Sequence, residues 1–148
     1  MSINTIKELR ELTGLGFKEI QKALQEAGGD RAKALELLKA SGANIAAKKS
    51  SRSTSEGLIA SYIHSTKKVG VLVEVLCETD FVARNPMFGE LAHEVAMHVA
   101  AMAPEQIEEL SGQPYIKDPS ITVGQLVTNA IAKLGENIKV SRFERFAI

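Results

Sequence analysis

The chain has 148 residues, 45% hydrophobic and 24% charged, enough for one ordinary domain or for one small and one modest domain. Eighteen basic residues balance eighteen acidic ones, so the formal net charge of zero supplies no positive field for non-specific nucleic-acid binding, and no direct nucleic-acid partner is expected. The opening MSINTIKELR lacks an apolar signal core, no apolar run approaches the ~20 residues of a membrane helix, and the single Cys77 gives neither an internal disulfide nor a zinc-ligand set; these features predict a cytoplasmic protein with no membrane partner.

Residues 1–43 read as three short helices punctuated by glycines. Thr5 and Glu8 have capping-box spacing, which puts Ile6, Leu9 and Leu12 on the apolar stripe of a first helix ending before Gly14. After the turn GLGF, a helix from Lys18 to Ala27 groups Phe17, Ile20 and Leu24 on one face. Gly28 and Gly29 supply a left-handed stop, and Asp30 caps a third helix whose buried stripe is Leu35 and Leu38, ahead of Gly42. Such a unit has a small core and suits recognition better than catalysis. Residues 44–56, NIAAKKSSRSTSE, turn abruptly small, basic and serine-rich, and read as an interdomain linker, helical at most at its start. Lys48, Lys49 and Arg52 read as part of a solvated tether in preference to a contact with phosphates or an acidic surface.

From Gly57 the period changes from helix to strand, and residues 57–148 read as an α+β core. Leu58 to His64 and Val69 to Cys77 are rich in β-branched residues and joined by STKK, a hairpin by spacing. Val69, Val71, Val73, Val75 and Cys77 alternate on one face of the second strand, where Cys77 reads as inert packing. The other face, Gly70, Leu72, Glu74, Leu76 and Glu78, is mixed and open to cover by a helix or a partner. Asn85 caps a helix with Pro86 at its first position, and Phe88, Leu91, Val95, Val99 and Met102 form its stripe before Pro104. A turn of helix around Ile107 and Leu110 leads into the loop GQPYIKDPS. Thr122 and Gln125 then open a helix carrying Val123, Leu126, Val127, Ala130, Ile131 and Leu134, with Gly135 as its stop. Ile138 to Phe146 reads as a third strand whose apolar parity changes between Val140 and Phe143, which predicts a bulge.

No catalytic, metal or cofactor constellation emerges. In HEVAMH, His93 and His98 are five apart, about 140° around a helix axis, whereas a zinc-binding helix needs histidines four apart; both read as exposed or partner-facing. His64 has no obvious nucleophile to serve, GLGF lacks the third glycine of a dinucleotide loop, and nothing matches a phosphate-binding P-loop. TDFV, Thr79 to Val82, is harder to place. An apolar pair in a turn is either core or contact surface: Phe81 folds back under the next helix behind a Thr79 or Asp80 cap, or Asp80 and Phe81 project as an acid beside an apolar wedge.

TDFVARN, the preceding VGVLVEV, the opening IKELRELTGLGF, the helix LAHEVAMHVA and the closing IAKLGENIKVSRFERF together resemble bacterial elongation factor Ts over nearly the whole chain. The resemblance implies a ubiquitin-associated-type three-helix module over 1–43 and an α+β exchange core over 57–148. It implies a guanine nucleotide exchange factor for elongation factor Tu, met both GDP-bound and nucleotide-free, needing no cofactor or metal. By the same resemblance, Thr79, Asp80, Phe81 and Val82 enter the partner's GTPase domain and disturb the magnesium and phosphate side of bound GDP. Leu12, Gly14, Leu15, Gly16 and Phe17 become candidates for a contact with a helix of that domain, although Phe17 equally suits a core residue. Two departures stand out: the second core half and the helical hairpin insertion of longer relatives are missing, which implies a homodimer. An adaptor that binds a protein tag through the three-helix module, without exchange activity, is the alternative.

Overall fold

A computed structural model describes residues 2–148. Its contacts divide the chain into two compact units, one formed by the chain up to Ser51 together with Thr128–Gly135, the other by Arg52–Val127 with Glu136–Ile148.

The first unit contains α1 (Ile3–Thr13), α2 (Phe17–Glu26) and α3 (Arg31–Lys49). The cap of α1 is Ser2, whose Oγ accepts the Thr5 amide at 3.2 Å, so the helix starts earlier than the Thr5–Glu8 spacing predicts. Gly14 ends it in the left-handed region at φ 72°, and Gly28 and Gly29 do the same after α2. Asp30 caps α3 by accepting the Ala32 and Lys33 amides. Ile6, Leu9, Leu15, Ile20, Ala23, Leu24, Ala34 and Leu38 form one core cluster, with Ala132 packed against it.

Three expectations for this unit are corrected. Leu12 and Phe17, placed on apolar stripes by their spacing, are 40% and 54% exposed, because Leu15 in the turn between the helices fills the core in their stead. The third helix does not stop at Gly42 but runs to Lys49. A mid-helix glycine costs about 1 kcal/mol relative to alanine, and Ile45, one turn on, packs against the cluster and offsets it.

In the second unit, β1 (Glu56–Ile63) and β2 (Val69–Cys77) form the expected hairpin, with Lys67 at φ 63° in its turn. Then come the single turn α4 (Asp80–Ala83), α5 (Pro86–Met102), α6 (Ile107–Gly112), a ribbon of β3 (Pro114–Tyr115) and β4 (Asp118–Thr122), α7 (Val123–Leu134), which from Thr128 on belongs to the first unit, and β5 (Lys139–Ala147). The fold is α+β, with an antiparallel sheet of order β1-β2-β5. Val71, Val73, Val75 and Cys77 are buried on one face, where α5 brings Phe88, Leu91, Val95 and Val99. Met102, at the end of that stripe, is 42% exposed. Cys77 is fully buried, and loss of solvent raises its thiol pKa, which makes it a packing group.

The bulge falls where the parity changes. Val75 pairs with Val140 and Glu74 with Arg142, so Ser141 is the extra residue. That one insertion lets Val140 and Phe143, three apart, both share the Val-rich face, since Phe143 pairs with Val73. Ser141 Oγ donates to the Glu74 carboxylate at 2.6 Å and ties the bulge down; this bond, with Arg142 beside it, lowers the Glu74 pKa. The opposite face is uncovered, leaving Ile59 at 64%, Leu72 at 54% and Phe146 at 71% exposure.

Candidate functional site

The segment after β2 leaves the ladder at Cys77 and winds into α4 at once. Thr79, extended at φ −124° and ψ 155°, caps the turn by accepting the Val82 amide on its Oγ1 at 3.3 Å. The turn closes at Arg84, and Asn85 starts α5 by accepting the Met87 amide at 2.9 Å, with Pro86 needing no hydrogen bond at the first position. Consecutive residues of a helix point about 100° apart. The apolar pair is therefore split: Val82 is 5% exposed and seated in the core, while Phe81 is 82% exposed. Asp80, beside it, pairs with Arg84 at 3.3 Å, but both side chains are mostly in solvent and the pair is weakly stabilising. The base of the turn is tied to the segment before β5, where the Glu136 carboxylate accepts from Glu78 and Thr79. Nothing in the spacing of the sequence singles out Glu136; only its position between a helix stop and a strand marks it as a capping group.

The five N-terminal candidates fall into two kinds. Leu12 and Phe17 present apolar surface, and Gly16 has open space around its Cα. Leu15 is 2% exposed, and Gly14 serves the fold: a Cβ there would lie 2.8 Å from the Asn129 carbonyl oxygen and from Lys133 Cγ. These residues belong to the first unit and the Thr79–Val82 turn to the second.

The two histidines of HEVAMH separate. His93 is exposed, with its ring edge-on to Tyr62. His98, expected to be exposed or partner-facing, is fully buried. Its Nδ1 accepts the Ile116 amide at 3.2 Å, which leaves Nε2 to donate to Gln113 Oε1 at 2.9 Å, and the ring is neutral. Burial lowers its pKa, only partly countered by Gln113. Next to it, Tyr115 Oη donates to Glu94 at 2.7 Å and Lys117 Nζ donates to the other carboxylate oxygen at 2.7 Å. Burial would raise the Glu94 pKa, but these two hydrogen bonds and the Lys117 charge bring it below the ordinary value. Burial and the Glu94 contact push the Tyr115 phenol up. This network fastens the β3–β4 ribbon to α5. Among the described residues no group of three or more His, Cys, Asp or Glu is placed to hold a metal ion, and no helix is long and apolar enough to cross a membrane.

Residues 5–109 and 78–148 each match the family described as "Elongation factor TS". The chain belongs to the elongation factor Ts family. Elongation factor Ts of Thermosipho melanesiensis is 42% identical over 194 aligned positions that take in 100% of this chain and 98% of that one. Its counterpart from Anaeromyxobacter sp. is 40% identical over 193 positions, 100% of this chain and 88% of that one. That of Clostridium kluyveri is 49% identical over 143, 97% of this chain but 47% of that one. The Thermosipho alignment is longer than the 148 residues here, so this relative carries residues within the aligned span that this chain lacks. Family membership makes the chain a factor of translation elongation.

Proposed function

We propose that the chain is a guanine nucleotide exchange factor for elongation factor Tu, and that it promotes GDP release by inserting the Thr79–Val82 turn near the partner's magnesium and phosphate site. The observation that carries this reading is the split pair. A phenylalanine 82% in solvent has no role in the core, yet Val82 and the two flanking caps hold its backbone in place. Exposed aromatics on rigid supports are the usual anchors of protein interfaces. Phe81 is the wedge, Asp80 the charge beside it, and Thr79 and Val82 their mount.

The protein performs no bond-making step. Exchange is a coupling free energy in which partner binding and GDP binding oppose each other, each weakening the other by the same factor. The nucleotide-free partner is the state it favours. Residues 1–43 act as a ubiquitin-associated-like docking module, with Leu12 and Phe17 as its exposed contacts; residues 44–56 connect it to the exchange core over 57–148. A second copy covers the open sheet face, whose exposed Ile59, Leu72 and Phe146 form an apolar surface of the kind that marks an interface.

Release of fluorescent GDP from elongation factor Tu tests the proposal. The rate should rise with the concentration of this protein to a plateau well above the unassisted rate. An adaptor would leave the rate unchanged, and that result would end the exchange reading.

A further inference from the structure

We infer that Glu136 is a positioning residue for exchange: its carboxylate holds the base of the Thr79–Val82 turn and thereby fixes where Phe81 points. This inference rests on the reading of that turn as the exchange element. Phe81 touches too little of its own protein to be oriented by packing, so its direction comes from the backbone that carries it. That backbone has two ends. Val82, buried in the core, secures the far one. The near one has left the sheet at Cys77 and has no ladder partner for its amides.

Glu136 supplies what the ladder no longer does. Its Oε1 accepts the Glu78 amide at 3.1 Å and the Thr79 amide at 3.0 Å, while its Oε2 accepts the Thr79 hydroxyl at 2.7 Å. The last bond matters most. A threonine hydroxyl has one proton, and committing it to Glu136 leaves a lone pair for the Val82 amide, which is the cap that starts α4. The tie is reciprocated: Glu78 Oε1 accepts the Asn137 amide at 2.8 Å, and Arg52 lies 3.6 Å from the same oxygen. Asn137 Nδ2 in turn donates to the Arg52 carbonyl at 3.0 Å. Two segments 57 or more residues apart are thus cross-linked at the root of the wedge. The Asp80–Arg84 pair, exposed and within the turn itself, cannot do this.

Glu136→Ala removes both acceptor oxygens and with them all three hydrogen bonds. Glu136→Gln keeps the shape and one oxygen but sets an amide donor against the Thr79 hydroxyl or the two backbone amides. Both variants are compared with wild type and Phe81→Ala by fluorescent GDP release from elongation factor Tu, thermal melting and hydrogen exchange at the Val82 amide. With Glu136→Ala the plateau rate should fall about tenfold or more, the scale of loss expected when a positioned group is displaced. The half-saturating concentration should move less than the plateau, because the turn is misplaced while the other contacts remain. Glu136→Gln should fall in between, and Val82 should lose protection in step with the plateau. Thr79→Val, which removes the hydroxyl bond to Glu136 and the cap on the Val82 amide, should lower the plateau in the same direction, and adding it to Glu136→Ala should cost less than the sum of the two, since both remove the Thr79 hydroxyl bond. Wild-type exchange by Glu136→Ala beside lost exchange by Phe81→Ala overturns the positioning role and leaves the turn as the exchange element. Normal exchange by Phe81→Ala overturns the exchange reading of the turn and the positioning role with it. A loss in both Glu136 variants that merely follows the folded fraction also overturns the positioning role.

Discussion

Replacing Phe81 by alanine separates a wedge from a core residue by magnitude alone. Full burial of a phenylalanine side chain is worth about 1.5–3 kcal/mol, and an exposure of 82% leaves less than a fifth of that at stake. The expected loss is therefore about 0.3–0.5 kcal/mol, partly offset because alanine is the better helix former. For a chain of this size that is a fall in melting temperature of about 1–3 °C. The fully buried Phe88 is the control: its truncation should cost about 3–5 kcal/mol and lower melting several times further. Circular dichroism melting of both variants gives the comparison, and GDP release from elongation factor Tu gives the functional half. Phe81→Ala should melt almost with wild type while its plateau rate falls towards the unassisted rate. A Phe81→Ala protein that melts ten degrees low, and exchanges normally once corrected for folded fraction, would refute the reasoning.

Gly57→Ala should destabilise by about 3 kcal/mol or more, because its Cβ would lie 2.2 Å from the Val75 carbonyl oxygen and 2.8 Å from Leu76 Cα; unchanged denaturant midpoints would count against the close pairing of β1 on β2. Light scattering at micromolar concentration should report a dimer, and Leu72→Glu, which puts a charge on the open sheet face, should give a monomer that melts as an intact fold. If Leu72→Glu remains dimeric, the second copy sits elsewhere. Stability should fall as pH drops below 6.5, because the unfolded chain takes up a proton at that ordinary value while buried His98, its pKa lowered, stays neutral until lower pH. Glu94, whose pKa is also lowered, adds its loss only below 4.5, so melting of His98→Gln against wild type between pH 5 and 7 isolates the histidine; identical profiles would contradict the neutral buried ring.

What could be read in the sequence was what is decided locally. Asp30, Asn85 with Pro86, and the glycines at 14, 28, 29 and 135 mark helix ends through their own backbone chemistry, and each does so in the structure. The bulge at Ser141 was legible because one inserted residue must invert parity on either side. What depends on distant neighbours was not legible. Gly42 resembles a stop but is only a weak link, and Ile45 beyond it earns the helix its extra turns by packing. The β3–β4 ribbon is too short to show a period, so Tyr115 and Gln113 passed as loop and the burial of His98 beneath them went unseen. Leu12 and Phe17 lie on helical stripes as regular as those of Leu9 and Ile20; only the fold decides that Leu15 takes the interior.

The pair Phe81 and Val82 shows where that limit falls. In a single helical turn two neighbours about 100° apart cannot both face the sheet, so apolarity predicts that one is core and does not say which. The phase is set by the cap. With Thr79 as N-cap, Val82 is the third residue of the turn and faces inward, its amide bound to the Thr79 hydroxyl. Were Asp80 the cap, the turn would begin one residue later, and its residues would rotate by about 100° relative to the strand that leads in. The carboxylate of Glu136, by taking the Thr79 proton and both preceding amides, favours the first arrangement over the second. A carboxylate 57 positions from Thr79 thus favours the cap whose phase leaves Phe81, and not Val82, in water.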